Sequence, residues 1–256
     1  MLRPMNSLRL ICRLPLLLLH LLALPLALLA SVPPLPRLKL AGRGLDVIME
    51  SWWTATVCRI FGLRIVVTGR LKEGASLVAA NHISWMDVPL LYSIGPMGFV
   101  AKAEIDGWPL AGFIARFGGS LFHDRGSHDS ARTVLAAMVE RLGQGRRVTI
   151  FPEGGILPGH GIKPFHARMF AAAADSAAVV QPLMLRYVKD GRHYPDICFR
   201  PGESFMANFF RLLMQPVILA EVAILQPIEA AGQPRKELAR ASQNAIEEAF
   251  DEGLLL

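Results

Sequence analysis

The heptapeptide Asn81-His82-Ile83-Ser84-Trp85-Met86-Asp87 carries the residue types of general-base chemistry. A small, apolar stretch, Ser76-Leu77-Val78-Ala79-Ala80, leads into it and reads as a strand with a histidine at its end. An aspartate follows five residues after the histidine. A neighbouring carboxylate fixes the tautomer of an imidazole, so the pair suits removal of a proton from a hydroxyl. Five residues advance an ideal helix by about 500°, so the two meet only if His82 precedes a helix and Asp87 lies in its first turn. Ser84-x-x-Asp87 fits that geometry as a capping pattern, with Ser84 as N-cap and Asp87 at the third helical position. A helix cap alone accounts for the same residues, and within this stretch both readings stand.

Three further stretches carry chemistry. Gly119-Ser120-Leu121-Phe122-His123-Asp124-Arg125 reads as a strand leading to an arginine that could fork onto a phosphate. Val148-Thr149-Ile150-Phe151-Pro152-Glu153-Gly154-Gly155 reads as a buried strand ending in a carboxylate and two glycines, which permit close backbone approach to a ligand. Val179-Val180-Gln181-Pro182-Leu183 places a proline at or near a strand end, since central strands avoid it. The remaining histidines, His123, His128, His160, His166 and His193, show no metal-ligand spacing, and no metal is expected. No G-x-S-x-G elbow is present, which argues against a serine hydrolase.

These stretches need elements to position them. After residue 40 the chain alternates. Helical patterns over 45–62, 88–94, 110–117, 127–143, 165–176 and 236–251 punctuate strand patterns at 63–69, 76–80, 98–102, 119–122, 147–151, 179–187 and 217–225. Alternation of this kind predicts an α/β fold, a layered αβα domain with a largely parallel central sheet. Ahead of it, Leu14 to Val32 is an apolar run of about nineteen residues, near the length that crosses a bilayer. Pro15, Pro25 and the polar His20 interrupt it. The run exceeds a signal-peptide core and lacks a clean small-residue cleavage site. The preferred reading is therefore a retained membrane anchor over residues 1–44, spanning or interfacial, before a catalytic domain over 45–256. A cleaved signal and a buried helix are the alternatives. Basic residues flank both sides, so orientation is not readable. Trp52-Trp53 reads equally as an interfacial anchor or as packing against the domain.

The 256 residues are 52% hydrophobic, enough for one sizeable core, and the net charge of +6 favours an anionic partner. Nucleic acid is the least favoured: the basic residues are scattered, and there is neither a finger spacing nor an aromatic strand for base stacking. Cys12, Cys58 and Cys198 are too few and too separated for a disulfide framework and read as buried small hydrophobes.

Taken in order, Asn81-His82-x-x-x-x-Asp87, GSLFHDR, FPEG and VVQPL resemble the four motifs of the glycerolipid acyltransferases, in the 1-acyl-sn-glycerol-3-phosphate acyltransferase branch. The resemblance covers roughly residues 45–200. It implies transfer of a fatty acyl group from acyl-CoA or acyl-acyl carrier protein to the hydroxyl of a membrane lysophospholipid. That would yield phosphatidic acid from 1-acyl-sn-glycerol-3-phosphate, with no bound cofactor. It implies His82 as general base and Asp87 as its orienting carboxylate. It also implies contact with the acceptor by Asn81, Ser84, Arg125, Glu153, Gly154 and Gly155, and a cytoplasmic catalytic domain at the inner membrane. One departure bears on the acceptor. The family usually has Thr or Ser, often with Arg, after FPEG, where this chain has Gly155-Ile156-Leu157. Lys163 and Arg168 lie nearby in sequence and could compensate, with Lys163 as the expected contact. Lyso-ornithine lipid is the alternative acceptor, which the run Phe99–Pro109 weakly resembles. A non-catalytic lipid-binding scaffold and a hydrolase are the other classes compatible with the residues.

Overall fold

The structure is a computed structural model and describes residues 4–124, 126–156 and 161–253. The chain opens with α1 (Pro4–Leu21) and α2 (Leu24–Leu29), followed by a short hairpin of β1 (Lys39–Leu40) and β2 (Arg43–Gly44). Then come α3 (Leu45–Ile60), β3 (Leu63–Thr68), β4 (Ser76–Ala80), α4 (Asp87–Ile94), β5 (Gly98–Lys102), α5 (Ala103–Asp106) and α6 (Pro109–Phe117). The second half has β6 (Leu121–His123), α7 (His128–Gly143), β7 (Arg147–Ile150), α8 (Ala171–Ser176), β8 (Val179–Lys189), β9 (Arg192–His193), α9 (Phe205–Leu213), β10 (Ile218–Ile224) and α10 (Arg235–Glu252).

The sheet runs in the order β3-β10-β8-β4-β7-β5-β6, with β9 hairpinned onto β8. The block β8-β4-β7-β5-β6 is parallel throughout, and β10 joins it antiparallel to β8 and parallel to β3. The largely parallel sheet expected from the alternation is present. Strand period two sorts its residues to opposite faces. Val78, Ala80, Leu183, Leu185 and Tyr187 pack with Val57 and Cys58 of α3, Leu90 and Leu91 of α4, and Leu212 of α9. Leu77, Ala79, Val148, Ile150 and Val180 pack on the other face against α7, α8 and α10. Both faces are covered, as an αβα layering requires.

Several local expectations change. Pro182 is interior to β8, not at its end. The strand tolerates it because Pro182 stands where the β8–β10 ladder begins: its carbonyl accepts from Leu225 N at 3.1 Å, and the Gln181 side-chain amide donates to Leu225 O. A side chain thus supplies the donor that proline lacks. The helical pattern over 165–176 starts as a 3-10 turn at Ala167–Phe170 before α8. α9 has no counterpart among the sequence expectations.

The N-terminal segment packs onto the domain. Arg13 Nη1 donates to Leu213 O at 3.0 Å and to Gln215 O at 2.6 Å, capping the carbonyl end of α9, where a cation is favoured. His20 stacks on Trp53 and its Nε2 lies 3.0 Å from Trp53 O. Trp53 is therefore a packing residue, whereas Trp52 remains exposed. Pro15 is carried inside α1; the break falls at Leu22–Ala23, and Pro25 lies in the first turn of α2, where a missing N–H costs least. Leu16, Leu18, Leu19, Leu22, Leu26 and Leu29 point outward. Cys58 and Cys198 are buried as expected, but Cys12 is exposed on α1.

Candidate active site

β4 ends at Ala80, and Asn81 prolongs its pairing with β8 through a side chain. Asn81 Nδ2 donates to Leu185 O at 2.8 Å and Leu185 N donates to Asn81 Oδ1 at 2.7 Å, so the amide takes the place of the next backbone rung. The main chain is thereby released from the sheet, and His82 begins a tight turn. Within it Asp87 N donates to Ser84 O at 3.0 Å. The Asp87 carboxylate then folds back over the turn. Its Oδ2 accepts from Ile83 N at 2.7 Å, from Ser84 N at 2.9 Å and from His82 Nδ1 at 2.8 Å. Asp87 is fully buried, and the His82 side chain keeps a narrow exposed edge. Cap and pair are therefore the same object: the carboxylate that closes the turn holds the imidazole.

The cap differs in detail from the expected one. α4 starts at Asp87, with Met86 at the N-cap position and no side-chain cap bond there. Ser84 Oγ accepts instead from Met86 N at 3.3 Å, a local hydroxyl turn that competes with helix capping. Ser84 is completely buried. Asn81 and Ser84, expected to contact the acceptor, use their side chains to build the turn and face no open surface.

Glu153 is also redirected. It is buried, and its oxygens accept from His82 N at 2.6 Å and Lys163 N at 3.0 Å. Burial raises its pKa, and the N–H groups of Lys163 and His82 act in the opposite direction. An acidic side chain so engaged is a brace between two loops rather than a ligand for an anion. Gly154 has φ +77°, a conformation that favours glycine, and a Cβ there would come within 3.2 Å of the His166 ring. Gly155 O accepts from Lys163 Nζ at 3.1 Å, which keeps the ammonium beside the glycine loop. Arg125 lies outside the described residues.

Three contacts of the site were not among the sequence expectations. Tyr187, fully buried in β8, donates its phenol to Asp87 Oδ1 at 2.6 Å. Burial, and then the Asp87 charge, raise the phenol well above its ordinary pKa, so it stays a donor. Phe151 stacks on His82, with centroids 3.8 Å apart and an interplanar angle of 12°, fixing the ring plane from the β7 side. Trp85 Nε1 donates to Asn208 Oδ1 at 2.9 Å on α9. Asn208 is held in turn by Cys198 O and Glu203 Oε2, and Arg211 grips both Glu203 oxygens, at 2.6 and 2.7 Å. The Arg211 fork holds the Glu203 carboxyl down to about 2. The Ser204 cap and the spacing of Phe205, Phe209, Leu212 and Leu213 were the available signal for α9.

His82 Nε2 makes no hydrogen bond among the described residues. An imidazole with Nδ1 anchored to a carboxylate, its ring plane fixed and Nε2 free is poised to take a proton from an incoming hydroxyl. No side chain in the turn is placed as a nucleophile: Ser84 Oγ is buried and engaged.

Comparison with known proteins bears on the family and the fold. Residues 64–186 match the Acyltransferase family model, a span that contains the turn, the glycine loop and most of β8. The lyso-ornithine lipid O-acyltransferase of Pseudomonas aeruginosa is 37% identical over 198 residues, covering 77% of this chain and 76% of that protein. The enzyme of the same name from Brucella abortus is 29% identical over 222 residues, covering 81% and 83%. The 1-acyl-sn-glycerol-3-phosphate acyltransferase of Neisseria gonorrhoeae is 39% identical over 111 residues, covering 43% and 44%. Among solved structures, the 1-acyl-sn-glycerophosphate acyltransferase PlsC from Thermotoga maritima superposes with a TM-score of 0.63 at 20% identity, covering 81% of this chain and 79% of that one; at that identity the likeness concerns the fold.

Proposed function

This chain belongs to the lysophospholipid/glycerolipid acyltransferase family, and on that premise we propose that it esterifies the free hydroxyl of lyso-ornithine lipid with an acyl group from acyl-CoA or acyl-acyl carrier protein. The observation that carries the chemistry is the buried Asp87 carboxylate on His82 Nδ1 at 2.8 Å. The acceptor hydroxyl gives its proton to His82 Nε2 as its oxygen attacks the thioester carbonyl. Asp87 stabilises the imidazolium that forms. The tetrahedral intermediate collapses with cleavage of the C–S bond, and the leaving thiolate recovers the proton from His82. The hydroxyl stands where a hydrolase would place its own serine, so no acyl-enzyme forms.

Support for the acceptor comes from breadth. Relatives named for lyso-ornithine lipid align over about three quarters of the chain, whereas the Neisseria relative named for 1-acyl-sn-glycerol-3-phosphate aligns over 43%. The absence of Thr, Ser or Arg directly after FPEG points the same way, since a phosphate would gain from those donors. The second reading, formation of phosphatidic acid, is favoured by that Neisseria relative and by Lys163 beside Gly155. We further propose that residues 1–44 form the membrane anchor of a catalytic domain over 45–256 that faces the cytoplasm at the inner membrane. Met5–Leu29 is long and apolar enough to cross, and its outward leucines support contact with lipid.

The test is a panel of lysolipids with one acyl-CoA, following free thiol and the diacyl product together. The expected result is fastest thiol release with lyso-ornithine lipid and loss of turnover in His82→Ala. Undiminished release by His82→Ala removes His82 from the base role. Preference for 1-acyl-sn-glycerol-3-phosphate establishes the second reading. Free fatty acid without a diacyl product indicates hydrolysis.

A further inference from the structure

Glu50 of α3 takes no part in the chemistry at His82. It lines a cavity of about 460 Å³, within the size of small-molecule sites, at the other end of the sheet. Gly74 precedes β4, Gly98 opens β5 and Arg147 opens β7, all on the cavity wall, whereas His82 follows the far end of β4. The five residues of β4 put about 16 Å between the two ends. Asp46 and Glu50 stand four residues apart on one face of α3, and Arg146 and Arg147 line the same cavity. Among the described residues none of these four forms an ion pair. Glu50 is pushed up to about 7 by burial and then by the Asp46 charge, with no cation to offset either. Arg147 gives Nη2 to Lys72 O at 2.8 Å, while its Nε and the Nε1 of Trp53, another lining residue, are buried without a hydrogen-bond partner. Tyr92, the other titratable lining group, donates to Gly118 O at 3.1 Å. Leu24, Ala27 and Leu28 of α2 and Ile114 and Phe117 of α6 supply apolar wall and no charge.

We propose that this cavity is a second, non-catalytic lipid site that takes a zwitterionic headgroup, its ammonium at Asp46 and Glu50 and its carboxylate or phosphate at Arg146 and Arg147. Opposite charges that share a cavity without meeting leave a gap, and a ligand carrying both signs closes it from both sides. An ammonium beside Glu50 favours the ionised carboxylate that burial disfavours. A guanidinium with spare donors suits an anion with two oxygens. A purely anionic ligand would leave the two acids uncompensated, and a purely cationic one the two arginines. The apolar residues of α2 and α6 give an acyl chain a surface to lie on. The choice of a lipid over a free amino acid rests on the membrane reading of α1 and α2. The lipid held here cannot be the acceptor in reaction, because the base stands at the opposite strand end.

The experiment titrates the full chain, in micelles of a nonionic detergent, by calorimetry with four probes. Nα-decanoyl-ornithine carries ammonium, carboxylate and chain, and has no hydroxyl to acylate. Decanoyl-glycine lacks the ammonium, decylamine lacks the carboxylate, and free ornithine lacks the chain. Nα-decanoyl-ornithine should bind about tenfold tighter than each of the others. Glu50→Gln should weaken it about tenfold and leave decanoyl-glycine unchanged; Arg146→Gln should weaken it about tenfold and leave decylamine unchanged. Glu50→Gln relieves a buried charge, so a thermal melt at least equal to that of the wild type accompanies its loss of binding and sets unfolding aside. Equal affinity for the three amphiphiles overturns the zwitterionic site. Binding of Nα-decanoyl-ornithine that neither substitution moves places the probe at the catalytic end and overturns it too. Free ornithine that binds as tightly as its acylated form overturns the lipid as occupant. None of these readouts involves turnover, so their failure leaves the acyl transfer at His82 untouched.

Discussion

Tyr187→Phe removes one oxygen and leaves the ring that packs beneath the catalytic turn. The deleted O–H is the sole donor to Asp87 Oδ1 among the described residues, at 2.6 Å, and both groups are fully buried. Oδ2 keeps its three donors, so the carboxylate stays in place but loses its hold on one side. A hydrogen bond to a charged group contributes about 1.5–3 kcal/mol, and burial shields the bare oxygen from bulk solvent. Equilibrium unfolding in urea should register a loss of about 2 kcal/mol. Turnover should fall about tenfold, the equivalent of about 1.4 kcal/mol, as the carboxylate gains freedom to turn away from His82 Nδ1. KM should stay unchanged, because the phenol lies behind the turn and cannot touch substrate. The assay is steady-state thiol release at saturating acceptor, under conditions where the variant is shown to be folded. Asp87→Asn supplies the floor, with a loss of about 10³–10⁴ in kcat expected for an orienting carboxylate. A variant of full kcat and reduced stability would make Tyr187 a structural donor only. A rise in KM at constant kcat would refute the assignment of its position relative to substrate.

Two further outcomes concern stability. Glu50 on α3 is pushed up to about 7, first by burial and then by the nearby Asp46 charge, so the folded state keeps a proton that the unfolded chain has lost. Its destabilisation is absent below pH 4.5 and grows as pH rises, becoming complete above about 7; at about 1.4 kcal/mol per pH unit it amounts to at most about 3 kcal/mol. Thermal melts should therefore show Glu50→Gln gaining on the wild type between pH 5 and about 8, and a constant offset across that window would contradict the linkage. Asn81→Ala leaves Leu185 N and Leu185 O without their partner, and chemical denaturation should show a loss of about 2–4 kcal/mol, against near-neutral effects for a surface asparagine.

The strand into His82, the meeting of His82 with Asp87 and the layered architecture were readable because each follows from local spacing. What escaped depends on contacts between distant parts of the chain. Tyr187 lies one hundred residues beyond Asp87, and its side chain belongs by strand period to the same core face as Leu183 and Leu185. Nothing in its neighbourhood distinguishes it from a packing tyrosine. Asn208 became a partner for Trp85 only once α9 was laid across the turn. Contact of Asn81, Ser84 and Glu153 with the acceptor was implied by the family resemblance, not by the residues' own surroundings. Their burial and their backbone partners give them a different task, namely to satisfy main-chain groups where the chain leaves the sheet. Pro182 was misplaced for the converse reason, since the compensating Gln181 amide can be recognised only when β10 is in position.

The Glu153 brace has a consequence for how such an enzyme can change its substrate. One carboxylate fixes the backbone at His82 and again at Lys163, and Lys163 reaches back to Gly155. Gly155 and Lys163 are thus tied to the frame that holds the base. Substitutions that spare these contacts leave the proton acceptor where it is. Under the proposed reading of the acceptor, a lineage can then move from one lysolipid to another without rebuilding its catalytic turn.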